Sequence, residues 1–333
     1  MKIAALVIAA LWPLLVSGEP RKIVVFGMDA EAIRDFQSVS PEVKVVAAER
    51  GADAEAQVAD ADAIFGTLTP QLFSAAKKLK WVQVYSAGVE NLRFPAFTNS
   101  NVTLTNCKII QGPNIADHAF ALLLALARNL NEIIPRRSTQ EWSRGQFHPI
   151  ELRDKTALIV GVGGIGSQIA QRAHAFGMRV IGVDPKEMPL NPYVSKMVFP
   201  DRLDTVIPEA DVIFVSAPHT PQSEGMLGPK QFELMKKGAY FIAVSRGKLY
   251  DTNALVKALD SRQLAGAGLD VTNPEPLPKG HPLWNFENVI ITPHMAGQSD
   301  SVNNRRMALI KENIGRFMRG EPLINVVDKA KGY

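Results

Sequence analysis

Three ionisable side chains in the second half of the chain stand where a reaction could be run: Arg246, Glu275 and His294. Arg246 lies in Ser245-Arg246-Gly247, directly after the strand-like run Tyr240 to Val244. A guanidinium there can bind a substrate carboxylate and polarise a neighbouring carbonyl. His294 closes Thr292-Pro293-His294 after a second such run, and Glu275 stands between Pro274 and Pro276, which restrict its backbone. A histidine paired with a carboxylate is the usual way to hold a proton donor near neutral pH. Each residue also has a plainer reading. An arginine after a strand is most often a surface or capping residue, a glutamate in a proline-rich loop is usually solvated, and a lone histidine is usually structural. What favours chemistry is the place of all three in turns after strands, where open α/β sheets receive ligands.

The element that would organise them is the stretch Thr156 to Pro185, read as strand, glycine turn, helix and strand. Gly161, Gly163 and Gly166 fit G-x-G-x-x-G, with Gly164 and Ile165 inside the turn. Such a turn lets the backbone close on a pyrophosphate while the following helix points its positive end at the anion. Ile169, Ala173 and Phe176 repeat at helical spacing, Gly177 ends the helix, and Arg179 to Val183 forms a strand ending at Asp184. A carboxylate there accepts the ribose hydroxyls of an adenosine and repels a 2'-phosphate, so the predicted cofactor is NAD rather than NADP. Glycine turns also serve plain packing; the flanking strand, the helix and the acidic residue carry the assignment.

The first half, from about 21 to 115, alternates strands (from Lys22, Lys44, Ala63, Trp81 and Thr103) with helical stretches and carries no glycine fingerprint. That alternation predicts a parallel sheet covered on both faces. Asn114 to Asn131 reads as one strongly apolar helix, broken at Pro135 and buried between domains; Ser299 to Arg319 reads as a helix closed by Gly320 that returns to the first domain. The chain has 333 residues, 46% hydrophobic and 21% charged, enough for two cores and unlike a disordered chain. A net charge of +4 with scattered basic residues leaves no nucleic-acid footprint. Lys2 followed by the apolar run Ile3 to Val16 and the small residues Ser17 and Gly18 reads as a secretory signal peptide, 1–18. It predicts a periplasmic or secreted protein with no membrane association after cleavage; a cytoplasmic protein with a mis-assigned start is the alternative. Cys107 is the only cysteine, which excludes an internal disulfide. No close histidine pair or C-x-x-C suggests a metal site, and Gly247-Lys248 lacks the rest of a P-loop.

Three segments together resemble the D-isomer-specific 2-hydroxyacid dehydrogenases: Val82 to Leu92, Glu151 to Asp184, and Ala243 to Gly297. The likeness spans essentially Arg21 to Val327. It implies an α/β protein of two doubly wound parallel-sheet domains, a Rossmann NAD-binding domain inserted into a flavodoxin-like substrate domain. The implied division is 21–115 with 298–327 for the substrate domain and 116–297 for the nucleotide domain. Carried onto matching positions, Arg246 orients a small 2-oxo acid, His294 is the acid/base and Glu275 its carboxylate partner. Asp270 holds the nicotinamide carboxamide, Ser245 belongs to the cofactor site, and Ala87, Gly88 and Val89 receive the substrate carboxylate on backbone N–H groups. The resemblance also implies a D-2-hydroxy acid product, a homodimer and domain closure over the cleft. Longer relatives carry a C-terminal regulatory domain, and none is expected after Val327.

Two departures from the family pattern carry expectations of their own. Ala243-Val244-Ser245 precedes the arginine where other triplets are common, and Asp117 replaces a frequent glutamate, which predicts a weakened interdomain contact. Pocket walls are expected near Thr67, Ser86 and Trp142. Two other classes fit the same residues: a catalytically silent NAD-binding sensor or interaction protein, which the intact Arg246, Glu275 and His294 argue against, and an exported protein that keeps NAD as a structural group.

Overall fold

The computed structural model describes residues 20–332, except 52, 141, 143, 144 and 187–190. The segment 1–18, read from the sequence as a signal peptide, lies outside the described residues. Among those described, no helix is long and apolar enough to cross a membrane.

Five short, mostly buried segments make the first sheet: β1 (Arg21–Phe26), β2 (Val43–Ala48), β3 (Ala63–Phe65), β4 (Trp81–Gln83) and β5 (Thr103–Thr105). All pair in parallel in the order β2-β1-β3-β4-β5, the flavodoxin-like winding. Parallel strands need helical crossovers that cover both faces, which is why β3 and β4 are buried at every residue. One face packs beneath the last helix, Val302–Arg319, through Ile310 and Ile314 against Ile23, Val25 and Trp81. Trp81 is fully buried, its ring 4.7 Å from that of Phe65 and 5.1 Å from that of Phe317. Removing such a side chain typically costs about 3–5 kcal/mol. The last helix starts at Val302, later than expected, because Ser299 Oγ accepts the Val302 N–H at 3.0 Å. It ends at Gly320, whose φ of 70° suits a residue without Cβ. Beyond it the chain returns to the first sheet, where the Lys329 ammonium donates to the carbonyls of Phe97, Ser100 and Val102 at 3.0, 2.7 and 2.8 Å.

The second sheet has β6 (Thr156–Val160), β7 (Arg179–Val183), β8 (Lys196–Val198), β9 (Val212–Val215), β10 (Ala239–Ala243), β11 (Leu264–Leu269) and β12 (Val289–Ile291). Its order is β12-β11-β10-β9-β6-β7-β8, again all parallel. Counted from β6, this is the Rossmann order with a seventh strand, and the winding reverses between β6 and β9, where a crevice opens at the carboxyl ends.

The long apolar helix runs Gly112–Ala127 and stops well before Pro135, because Asn129 turns into the left-handed region at φ 57°. It was expected between the domains. Its body instead lies on the second sheet, in one core cluster with Ile159, Phe214 and Ile242, while its first turn reaches the last helix through Asn114 and Arg305. Asp117 pairs instead with Arg172 of the nucleotide-turn helix, Gly164–Ala175, at 2.7 Å. It sits on the side of the long helix that faces that neighbour rather than the other domain.

Candidate active site

The glycine turn follows from β6, which is buried at all five residues and delivers the chain to the sheet's carboxyl edge. Gly161 has φ 91°, and a Cβ there would collide with the Ala217 backbone; one on Gly166 would overlap the Gly161 carbonyl. Those two glycines let the helix seat directly on the strand end. Gly163 differs, since nothing lies within 4 Å of where its Cβ would be, so this face of the turn is open to a ligand. The first bond of the helix is Ser167 N–H to Gly163 O at 2.9 Å, and the earlier N–H groups are the ordinary anion site of a helix start. Asp184 ends β7 and leans onto the turn: its Oδ2 accepts the Val162 N–H at 2.9 Å and its Oδ1 the Lys186 N–H at 3.0 Å. Lys108, whose backbone touches Gly164, has its ammonium pKa lowered by burial and then by the nearby Lys186 charge.

Arg246, Glu275 and His294 follow β10, β11 and β12, three adjacent strands. Neighbouring strands lie about 5 Å apart, so the sheet alone brings the three turns together. His294 has φ 51°, an uncommon conformation for a residue with a side chain. It is held there by Asp270. The His294 N–H donates to the Asp270 carbonyl at 2.9 Å. The Asp270 carboxylate, almost wholly buried, accepts Thr292 Oγ1–H at 2.6 Å and Met295 N–H at 2.9 Å on Oδ1, and Ala296 N–H at 3.0 Å on Oδ2. Because the Thr292 hydroxyl proton is used, His118 Nε2 is the donor in its 2.9 Å bond to Thr292 Oγ1. The turn so fixed places His294 Nδ1 2.6 Å from Glu275 Oε1. Nδ1–H donates to the carboxylate, which stabilises an imidazolium and leaves Nε2 for another partner. The Glu275 loop is braced in turn: Tyr250 Oη donates to Val271 O at 2.7 Å, and Thr252 Oγ1 to Asn273 O at 2.9 Å. Gly247 packs so closely on this loop that a Cβ would overlap the Thr272 carbonyl.

Arg246 reaches from the second sheet to the first. Its Nη1 donates to Ser245 O at 2.8 Å, and its Nε donates to Glu90 Oε1 at 3.0 Å. Its Nη2 lies against Gly88, where a Cβ would overlap it. The Ala87 and Gly88 carbonyls are tied back by Asn106 Nδ2 at 2.6 Å and Ser86 Oγ at 2.7 Å. Among the described residues, none of the N–H groups of Ala87, Gly88 and Val89 has an acceptor in the protein. Two sets of donors, a guanidinium and a backbone loop, therefore converge from different domains on one spot.

The structure thus gathers Arg246 with the loop 87–89, and His294 with Glu275, and gives the Gly161 to Gly166 turn the shape of an anion cradle. Ser245 Oγ is buried without a partner, the condition of a hydroxyl that awaits a ligand. Asp270, read from the sequence as the holder of a nicotinamide carboxamide, also holds the His294 turn. Three of the four lone-pair directions of its carboxylate are occupied by the His294 turn, which leaves one for a carboxamide. Trp142, expected near a pocket wall, is 94% exposed. Sequence reasoning missed Glu90, Asn106, His118 and Thr292. All act through partners distant in the chain, and an acidic residue beside an anion-binding loop is the opposite of what local chemistry suggests.

The family model of the D-isomer specific 2-hydroxyacid dehydrogenase NAD binding domain matches residues 120–296, more than half of the chain. A glyoxylate reductase of Korarchaeum cryptofilum is 35% identical over 289 residues, covering 82% of this chain and 84% of that one. A D-3-phosphoglycerate dehydrogenase of Methanocaldococcus jannaschii is 33% identical over 309 residues; the match takes in 90% of this chain but only 57% of the longer relative. Among solved structures, a D-isomer specific 2-hydroxyacid dehydrogenase from Xanthobacter autotrophicus Py2, in complex with NADPH and MES, superposes with a TM-score of 0.79 at 28% identity, covering 93% of this chain and 99% of that one.

Proposed function

Because the chain belongs to the D-isomer-specific 2-hydroxyacid dehydrogenases, an oxidoreductase family with a nicotinamide nucleotide domain, we propose that it interconverts a small 2-oxo acid and its D-2-hydroxy acid with NAD. The observation that carries this reading is the 2.6 Å His294–Glu275 pair, set one strand beyond Asp270 and two beyond an arginine that touches the backbone loop 87–89.

The residues fit the nucleotide: the open face at Gly163, the helix start after it, the unpartnered Ser245 hydroxyl and the Asp184 carboxylate are the donors and acceptors a dinucleotide needs. Bound there, the nicotinamide supplies or accepts a hydride. The protein does the rest. Arg246 and the N–H groups of 87–89 bind the substrate carboxylate and fix its C2 carbonyl in one orientation. Arg246 also polarises the carbonyl oxygen as negative charge grows on it. His294 delivers the proton of Nε2 to that oxygen, and Glu275 stabilises the ring while it is charged. In the reverse direction the same nitrogen removes the hydroxyl proton.

NAD rather than NADP rests on Asp184, since a similar structure holds NADPH. A carboxylate already bonded to two backbone N–H groups cannot turn away from a 2'-phosphate without breaking them. Export rests on the apolar segment before Arg21, and a mature N-terminus near Glu19 is its test. The activity is tested by offering glyoxylate, hydroxypyruvate, pyruvate and phenylpyruvate with NADH and with NADPH. Reduction of at least one to the D-hydroxy acid, with NADH preferred, is expected. Oxidation of neither nucleotide by any of them would overturn the proposal.

A further inference from the structure

Glu90 stands in the first domain, at the start of the short 3-10 turn Glu90–Leu92 that follows the loop 87–89, and its partner Arg246 follows β10 of the second sheet. The pair joins two domains across a half-exposed cleft, with side-chain exposures of 32% and 35%. An ordinary surface ion pair could look the same. What separates this one is the use made of each guanidinium nitrogen. Nε is held by Glu90 Oε1 at 3.0 Å and Nη1 by the Ser245 carbonyl at 2.8 Å, while Nη2 is pressed onto Gly88. A planar guanidinium fixed at two of its nitrogens has no rotation left, so the direction of the third is set. Glu90 Oε2 also lies against Gly88, where a Cβ would come within 2.5 Å of it. Only a residue without a side chain at position 88 lets guanidinium, glutamate and loop meet.

We propose that Glu90 is a positioning residue: from the opposite domain it holds Arg246 by Nε and so aims Nη2 at the backbone loop 87–89, bringing the two halves of the carboxylate site into register. This rests on the proposed function for the identity of the ligand, a 2-oxo acid carboxylate. The arrangement links domain closure to substrate binding, because the arginine is correctly aimed only when the first domain presents Glu90. It also explains why a negative charge is tolerated beside an anion site. Glu90 occupies the Nε side of the fork, leaving the donors of Nη2 to the substrate.

The test is E90A and E90Q, each measured in two ways: by steady-state kinetics with the best 2-oxo acid, and by calorimetric titration of the NAD-loaded protein with oxalate, a non-reacting dicarboxylate. For E90A the oxo-acid KM and the oxalate Kd should rise about tenfold or more, the worth of one charge-assisted hydrogen bond, with the KM for NADH unchanged. E90Q keeps an oxygen acceptor for Nε and should recover most of the loss. A fall in oxalate Kd in E90A would show that Glu90 competes for Arg246 and would overturn the proposal, as would an E90Q as impaired as E90A. If the wild-type protein turns over no oxo acid yet binds oxalate in a Glu90-dependent manner, the positioning role stands and the catalytic reading fails. A wild-type protein that binds no oxalate overturns the positioning role itself.

Discussion

Asp270→Asn tests the device that holds the proposed proton donor. The substitution keeps size and shape but turns one carboxylate oxygen into an NH2 donor. Placed at Oδ2, that donor faces the Ala296 N–H, leaving a buried donor without an acceptor. Such a group costs about 1–3 kcal/mol. The remaining bonds from Thr292 Oγ1 and Met295 N pass from a charged to a neutral acceptor and lose roughly half their strength, about another 1–2 kcal/mol together. Flipping the amide only moves the clash to Met295 N or Thr292 Oγ1. The left-handed conformation of His294 costs about 1–3 kcal/mol, and the carboxylate's bonds to Thr292, Met295 and Ala296 on either side of it help to sustain it. A loss of about 3–4 kcal/mol therefore suffices to let the turn relax and to pull Nδ1 away from Glu275. A displacement of about 1 Å at a reacting group costs about a hundredfold in rate, so kcat should fall by about 10² or more. The oxo-acid KM should move by less than about threefold, because Arg246 and the loop 87–89 are untouched. The midpoint of thermal unfolding should drop by about 5–10 °C. Steady-state assays following NADH consumption, with a thermal melt on the same preparation, measure all three. A D270N enzyme with kcat within about threefold of wild type would refute the argument that this carboxylate holds the His294 turn.

Further outcomes follow from the same geometry. His294→Ala and Arg246→Ala should each lower kcat/KM by about 10² or more, and near-normal activity of either purified variant would remove that residue from the mechanism. Asp184→Ala removes the acceptor beside the turn, so the ratio of kcat/KM for NADH over NADPH should fall by about tenfold or more; an unchanged ratio would count against the ribose contact. Cys107 is fully buried, and burial pushes its thiol up to about 11. Since only the thiolate reacts, about one part in a thousand is ionised at pH 8. Iodoacetamide should leave the native protein unlabelled and add one group per chain after unfolding, as read by mass spectrometry. Rapid labelling of the native form would show the site to be open.

What the sequence determined by itself was everything set by neighbours within a few turns. The apolar runs that become β6 and β7, the glycines between them and Asp184 at the end of the second strand lie within one βαβ unit, so period and spacing report their geometry directly. Turns after β10, β11 and β12 are legible for the same reason, because a parallel sheet returns every strand to one edge. The tertiary structure alone decided which groups these turns would meet. The long apolar helix has the composition of a buried element, but its partner is the second sheet rather than the other domain, a choice that its nearly uniform surface does not encode. Asp270 reads as a cofactor contact in its local segment, yet three of its four acceptor sites are taken by a turn that begins 22 residues later. Glu90 is 156 residues from Arg246, and no local pattern can express that a carboxylate beside an anion loop serves to aim a guanidinium. Hydrogen bonds act over 3 Å of space whatever the length of chain between the partners, and the folding of two sheets against each other sets that distance.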